Sequence, residues 1–121
     1  MELTKKQIGA EGEDEAEQYL IKRGYKIIGR NMNTRYGEID LVAQKQNCLY
    51  FVEIRRRVGG AYGSALESLS SEKINRIKKT AHALLFKNKG WSQLIPFFSV
   101  IAIDETRDGR KTIEFMPDAF E

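Results

Sequence analysis

Charged residues interrupt two segments that are otherwise largely apolar. "GEIDLVAQ" (37–44) carries Glu38 and Asp40, and "CLYFVEIRR" (48–56) carries Glu53 and Arg55. Side chains along an extended chain alternate faces, so Glu38, Asp40, Val42 and Gln44 share one face of the first segment. Leu49, Phe51, Glu53 and Arg55 share one face of the second. A two-residue turn at Gln46–Asn47 would set Lys45 opposite Cys48, Gln44 opposite Leu49, Val42 opposite Phe51 and Asp40 opposite Glu53, although Gln-Asn is not the favoured hairpin dipeptide. Asp40 and Glu53 then face each other with Cβ atoms roughly 5 Å apart, and Arg55 falls opposite Glu38. Two carboxylates that close repel, and in a half-buried strand each also loses hydration. A cation between them answers both problems. Ligands that are all oxygen suit Mg²⁺, or Mn²⁺ in its place, and such an ion keeps several waters and takes phosphate oxygens. With Arg55 beside it to stabilise charge on a phosphoryl group, the chemistry is metal-assisted phosphodiester hydrolysis.

The same residues would also serve as an ion-pair ladder on a solvent-facing sheet, which adds little stability. Against that use, Ile39, Leu41, Val52 and Ile54 make the opposite faces apolar as well. Strands buried on both faces seldom carry central acids.

These two segments must be held by their neighbours. A first helix starts at Thr4, with Gln7 completing a capping-box pattern. Its apolar or small stripe is Ile8, Gly12, Ala16, Tyr19 and Leu20, and Gly24 stops it. "YKIIGRNM" (25–32) reads as a strand ahead of the two acidic ones. "VGGAYG" (58–63) is a glycine-rich loop. Ser70 or Ser71 caps a second helix to about Asn88, with Ile74, Ile77, Ala81, Leu84 and Leu85 as its buried stripe. "FFSVIAI" (97–103) is a continuous apolar strand, and the "RDGR" turn leads to an edge strand "KTIEF" (111–115). The order α-β-β-β-α-β-β predicts an α/β fold: one domain over residues 1–121, a mixed central sheet with helices on its faces.

Composition narrows the function. At 121 residues, 41% hydrophobic and 31% charged, the chain has the make-up of a soluble domain. One cysteine, Cys48, excludes an internal disulfide framework and a cysteine-based zinc cluster. One histidine, His82, supplies neither a zinc site nor a histidine triad and reads as a helix-flank residue. With no apolar run long enough for a membrane span and no signal-peptide pattern, the expected location is the cytoplasm, without a membrane partner. The net charge of +3 is unevenly placed. Residues 1–20 hold six acids against two lysines, whereas residues 53–90 hold nine bases against three acids. Such asymmetry suits a polyanion, with nucleic acid first among candidates, and it equally suits a solubilising lysine face on a helix.

"GEDEAEQYL", "GYKIIGRN", "GEIDLVA", "FVEIRRR", "YGSALESLSSEK" and "PDAF" together resemble the bacterial YraN-like proteins. These are small proteins of restriction-endonuclease-like fold, grouped near archaeal Holliday junction resolvases in the PD-(D/E)XK nuclease superfamily. The likeness spans nearly the whole chain, and it implies an αβββαβ core. It also implies that Asp40 is the first metal-binding aspartate, Glu53 its acidic partner, and Glu13 a third metal ligand from the first helix. Glu38 would line the same face. The chain departs from the superfamily pattern at Arg55, where the motif has lysine. Arginine does not serve as a base but can orient a phosphate or stabilise the transition state. Some superfamily members carry the lysine on the following helix, and Lys73 is the residue in that place here. A lysine in a first helical turn opposes the helix dipole, a mild misfit.

Arg35, Arg56, Arg57, Lys73 and Arg76 are the basic residues expected to contact phosphates near such a site. Arg55 and Arg56 point to opposite faces, so the arginine block cannot all serve one site. Tyr36 and Tyr62, in loops, could stack on unpaired bases or simply pack. The expectation is a divalent-metal-dependent nuclease acting on DNA, including branched or structured DNA. Its junction-cutting relatives also suggest a homodimer. The rivals are a nucleic-acid-binding module with little or no catalysis, favoured by Arg55, and an interaction protein with no nucleic-acid role.

Overall fold

The structure, a computed structural model, describes residues 5–59 and 65–121, with backbone alone for residues 5–9. The expected cap at Thr4, the side chain of Ile8, Tyr62 and most of the glycine-rich loop lie outside these residues.

Helix α1 (Lys5–Lys22) is followed by strands β1 (Lys26–Thr34), β2 (Gly37–Lys45) and β3 (Cys48–Val58). Helix α2 (Ser71–Lys87), a 3-10 turn (Lys89–Trp91), β4 (Ile95–Glu105) and β5 (Lys111–Phe120) complete the chain. The strands form one sheet in the order β1-β2-β3-β4-β5. All neighbours are antiparallel except β3 and β4, which run parallel, so α2 is carried on the crossover between them.

The ends of the elements follow local chemistry. Gly24 takes φ +88°, and the amides of Gly24 and Tyr25 reach back to the carbonyls of Ile21 and Leu20. That pair of bonds closes α1 in a Schellman motif, which needs a left-handed residue where the glycine stands. Ser70 caps α2, its hydroxyl accepting from the Lys73 amide at 3.1 Å. The β2–β3 turn has the expected two residues, and Gln46 takes the left-handed conformation (φ 55°) that more often goes to Gly or Asn.

The sheet is packed on both sides. Ala16 and Leu20 of α1 cover Leu41, Ala43, Val52, Ile101 and Ile103. Ile77, Ala81 and Leu84 of α2 cover Val42, Leu49 and Phe51. A third cluster joins Ala65 and Leu69, ahead of α2, to Val100 and Ala102.

Strand β5 runs five residues beyond the "KTIEF" expected. Pro117 discourages a strand reading, but β5 is an edge strand with a register shift between the Phe98 and Val100 pairings, where a proline is tolerated. Ser99 is buried there and donates its hydroxyl to the Pro117 carbonyl at 2.6 Å, and Phe120 stacks on Phe98.

Candidate functional site

The β2–β3 ladder holds from Lys45–Cys48 to Leu41–Val52 in the expected register, and then it stops. Asp40 is not paired with Glu53 in the ladder, nor Glu38 with Arg55. Instead Asp40 Oδ2 accepts a 2.8 Å hydrogen bond from the Ile54 amide. The carboxylate has taken the place of a ladder carbonyl as acceptor for that amide. The face alternation expected through residues 38–44 also breaks here. Leu41 and Ala43 sit under α1, yet Ile39 joins Val42 in the cluster under α2.

Asp40 is therefore wedged where two central strands part company. Burial pushes its carboxyl up to about 7, and the charge of Glu53 pushes in the same direction. The Ile54 amide opposes the shift, while Glu38 and Glu13 add to it. Glu53 is 6% exposed, a nearly buried acid in the central parallel strand. Its counter-charge comes from α2: Lys73 Nζ stands 3.3 Å from Glu53 Oε1. The Ser70 cap orders the helical turn that carries Lys73. The helix lysine is thus brought to the acid pair.

Arg55 turns toward the segment ahead of α2, donating through Nε to the Ser68 hydroxyl at 3.1 Å. It does not pair with Glu38, which is exposed and acts on Asp40 only through its charge. Glu13 lies close enough for its charge to reach Asp40, but its Oε2 is held by Arg30 Nε and Asn31 Nδ2, both at 2.9 Å. Arg30 and Asn31 were not singled out in the sequence. Their link to Glu13 spans 17 and 18 residues and exists only because α1 packs across β1. The lone hint is that "GRN" falls inside one of the segments that carry the family likeness.

The remaining basic residues separate by role. Arg56 lies between Glu11 of α1 (3.7 Å) and Glu105 of β4 (3.3 Å). Arg57 grips Asp104 with two bonds, 2.6 and 2.9 Å. Both guanidinium groups are thus engaged in ion pairs that tie the end of β3 to its neighbours, away from the acid pair. Arg76 is exposed on α2, one turn from Lys73. Arg35 sits at the β1–β2 turn beside Tyr36.

Among the described residues no three His, Cys, Asp or Glu side chains form a ready cation-binding group. The fit of a metal therefore rests on Asp40 and Glu53. Their donors are all oxygen, their charges conflict, and among the described residues one lysine offsets two acids. That is the environment of an Mg²⁺ or Mn²⁺ ion held by one or two carboxylates, with waters and substrate phosphate filling the other positions. No helix among the described residues is long and apolar enough to cross a membrane.

A mixed five-stranded sheet with α1 on one face, α2 on the other and the acids at the parting of β2 and β3 defines a restriction-endonuclease-like αβββαβ protein. Residues 12–103 match the model of the uncharacterised protein family UPF0102, and the chain belongs to that family. It is 41% identical over 118 residues to a UPF0102 protein of Pelotomaculum thermopropionicum, covering 97% of this chain and 98% of the relative. A UPF0102 protein of Syntrophomonas wolfei is 39% identical over 115 residues, covering 95% and 98%. One from Rhodococcus jostii is 40% identical over 114 residues, covering 93% and 95%.

Proposed function

We propose that the protein is a divalent-metal-dependent nuclease that hydrolyses phosphodiester bonds in DNA, branched or structured forms included. The observation that carries this reading is Asp40: a half-buried carboxylate raised to about 7 beside the buried acid Glu53, a conflict that a bound cation relieves without protonating either acid. Asp40 and Glu53 are the residues that would hold Mg²⁺ or Mn²⁺. Glu13 and Glu38 add negative potential around them. When bound, the ion supplies Lewis-acid polarisation of the phosphodiester and neutralises the acids. The Ile54 amide fixes the Asp40 carboxylate in place. Lys73, beside Glu53, and Arg55, bonded to Ser68, are the ammonium and guanidinium that would stabilise charge developing on an attacked phosphoryl group. Arg35 and Arg76 would bind phosphates further along the strand.

The second reading, a nucleic-acid-binding module that retains the fold without catalysis, is favoured by Arg55 in place of the strand lysine. The two separate in one assay. Purified protein is offered duplex, single-stranded and branched DNA with Mg²⁺ or Mn²⁺, with Asp40→Asn as control. The nuclease reading expects metal-dependent cleavage that the variant loses. Absence of cleavage, with salt-sensitive binding that survives Asp40→Asn, would establish the binding module instead.

A further inference from the structure

A groove of about 970 Å³ lies between the tip of the β1–β2 hairpin and the flank of α2, apart from the carboxylates. Arg35 and Tyr36 form one wall, and Lys79, His82, Phe86 and Lys87 line the other. No acid is among its described lining residues. Phe86 is 82% exposed and Tyr36 38%, so neither ring is accounted for by the core. The Tyr36 ring is braced, with the Arg35 guanidinium 4.9 Å above it and donating to its hydroxyl at 2.7 Å. Single exposed aromatics are ordinary on a protein surface. Two of them on facing walls, among three cations and no acids, are the combination that holds unpaired bases by stacking and their phosphates by charge. A duplex would keep its base faces stacked and out of reach of both rings.

We infer that this groove binds a single-stranded stretch of nucleic acid, with Tyr36 and Phe86 stacking on bases and Arg35, Lys79 and Lys87 meeting phosphates. The inference rests on the nuclease reading and supplies its substrate class: nucleic acid with an unpaired segment next to the bond to be cut. The two places are physically joined. Gly37, at the hairpin tip, is three residues along β2 from Asp40, about 10 Å. On α2, Arg76 stands three residues from both Lys73 at the acid pair and Lys79 in the groove, giving a cationic path about 9 Å long.

The test is fluorescence anisotropy with labelled thymidine and uridine oligonucleotides of about 15 nucleotides and a matched duplex, in EDTA at about 50 mM salt. Both single strands, or either one, should bind more tightly than the duplex. Phe86→Ala and Tyr36→Ala should each weaken that binding about tenfold, and Lys79→Ala with Lys87→Ala should flatten its salt dependence. Phe86 is exposed, so its variant should keep the wild-type unfolding midpoint, which excludes misfolding as the cause. Equal affinity for single strand and duplex, or unchanged affinity in both aromatic variants, overturns the inference. So does a dimer that Phe86→Ala converts to monomer, since the groove would then belong to a second copy. Because binding is read without metal, a chain that binds single strands but never cleaves sinks only the nuclease reading. A chain that cleaves duplex but ignores single strands sinks only the groove.

Discussion

Two clusters of acids among the described residues lie against the sheet, and they are handled in opposite ways. Glu13, Asp14 and Glu17 on α1 converge on Arg30, at 2.9, 2.6 and 3.2 Å. Those acids hold the guanidinium pKa above its usual range, the sign of a cation well matched to its surroundings. Glu53 is buried and Asp40 half-buried, and among the described residues their partners are one lysine, 3.3 Å from Glu53, and the Ile54 amide on Asp40. The first cluster satisfies itself, and the second leaves an acid that resists ionisation. Packing alone would favour matching both clusters, since an unmatched carboxylate that has lost part of its hydration is costly. The unmatched one is therefore where an outside cation has most to contribute.

The largest expected effect falls on catalysis. Asp40→Asn keeps the shape and the acceptor for the Ile54 amide but removes the charge, and cleavage should fall by at least about a hundredfold. Lys73→Met should also lower the turnover number, measured with saturating DNA, while Arg30→Ala should affect stability more than turnover.

Next comes the pH dependence of stability. Asp40 rises from an ordinary 3.8 to about 7 in the folded chain. Between those values the folded protein keeps a proton that the unfolded chain has lost, so stability falls as pH rises through this window and levels off above it. Urea unfolding at pH 8 should therefore find Asp40→Asn more stable than wild type by about 2 kcal/mol, with the gap closing near pH 4. A variant that is less stable at pH 8 would break the contrast between the two clusters.

Removing the cation of the matched cluster should do the reverse. Arg30→Ala leaves Glu13 with Asn31 among its described partners and should cost about 1–2 kcal/mol, shrinking as salt is added. The smallest change belongs to Arg57→Ala at the half-exposed Asp104 pair, under about 1 kcal/mol in the same measurement.

Much of this arrangement could be read from residue types. Gly24, Ser70 and the apolar stripes mark the helix ends and faces, and the Gln46–Asn47 turn fixes the β2–β3 register through Leu41–Val52. Lys73 stands out as a lysine in a first helical turn, and it does reach Glu53. The break at Asp40 was hidden, because strict alternation describes strands that stay paired, and here a side chain replaces the backbone acceptor. Arg30 was hidden for another reason: its partners are 13 to 17 residues away, joined by helix-on-sheet packing that no local pattern encodes. The arginine run after Glu53 divides between faces as strand alternation predicts, but the partners it meets, Ser68, Glu105 and Asp104, lie too far along the chain for a local pattern to name.

The contrast between the clusters is tested most directly by calorimetric titration of Mn²⁺ at about pH 8, where Asp40 is ionised. The wild-type chain should bind the ion at one site, Arg30→Ala should bind it with similar affinity, and Asp40→Asn should not bind it. A wild-type chain that takes up no Mn²⁺, or an Asp40→Asn chain that binds it as tightly, would contradict the assignment of Asp40 and Glu53 as the metal-holding pair.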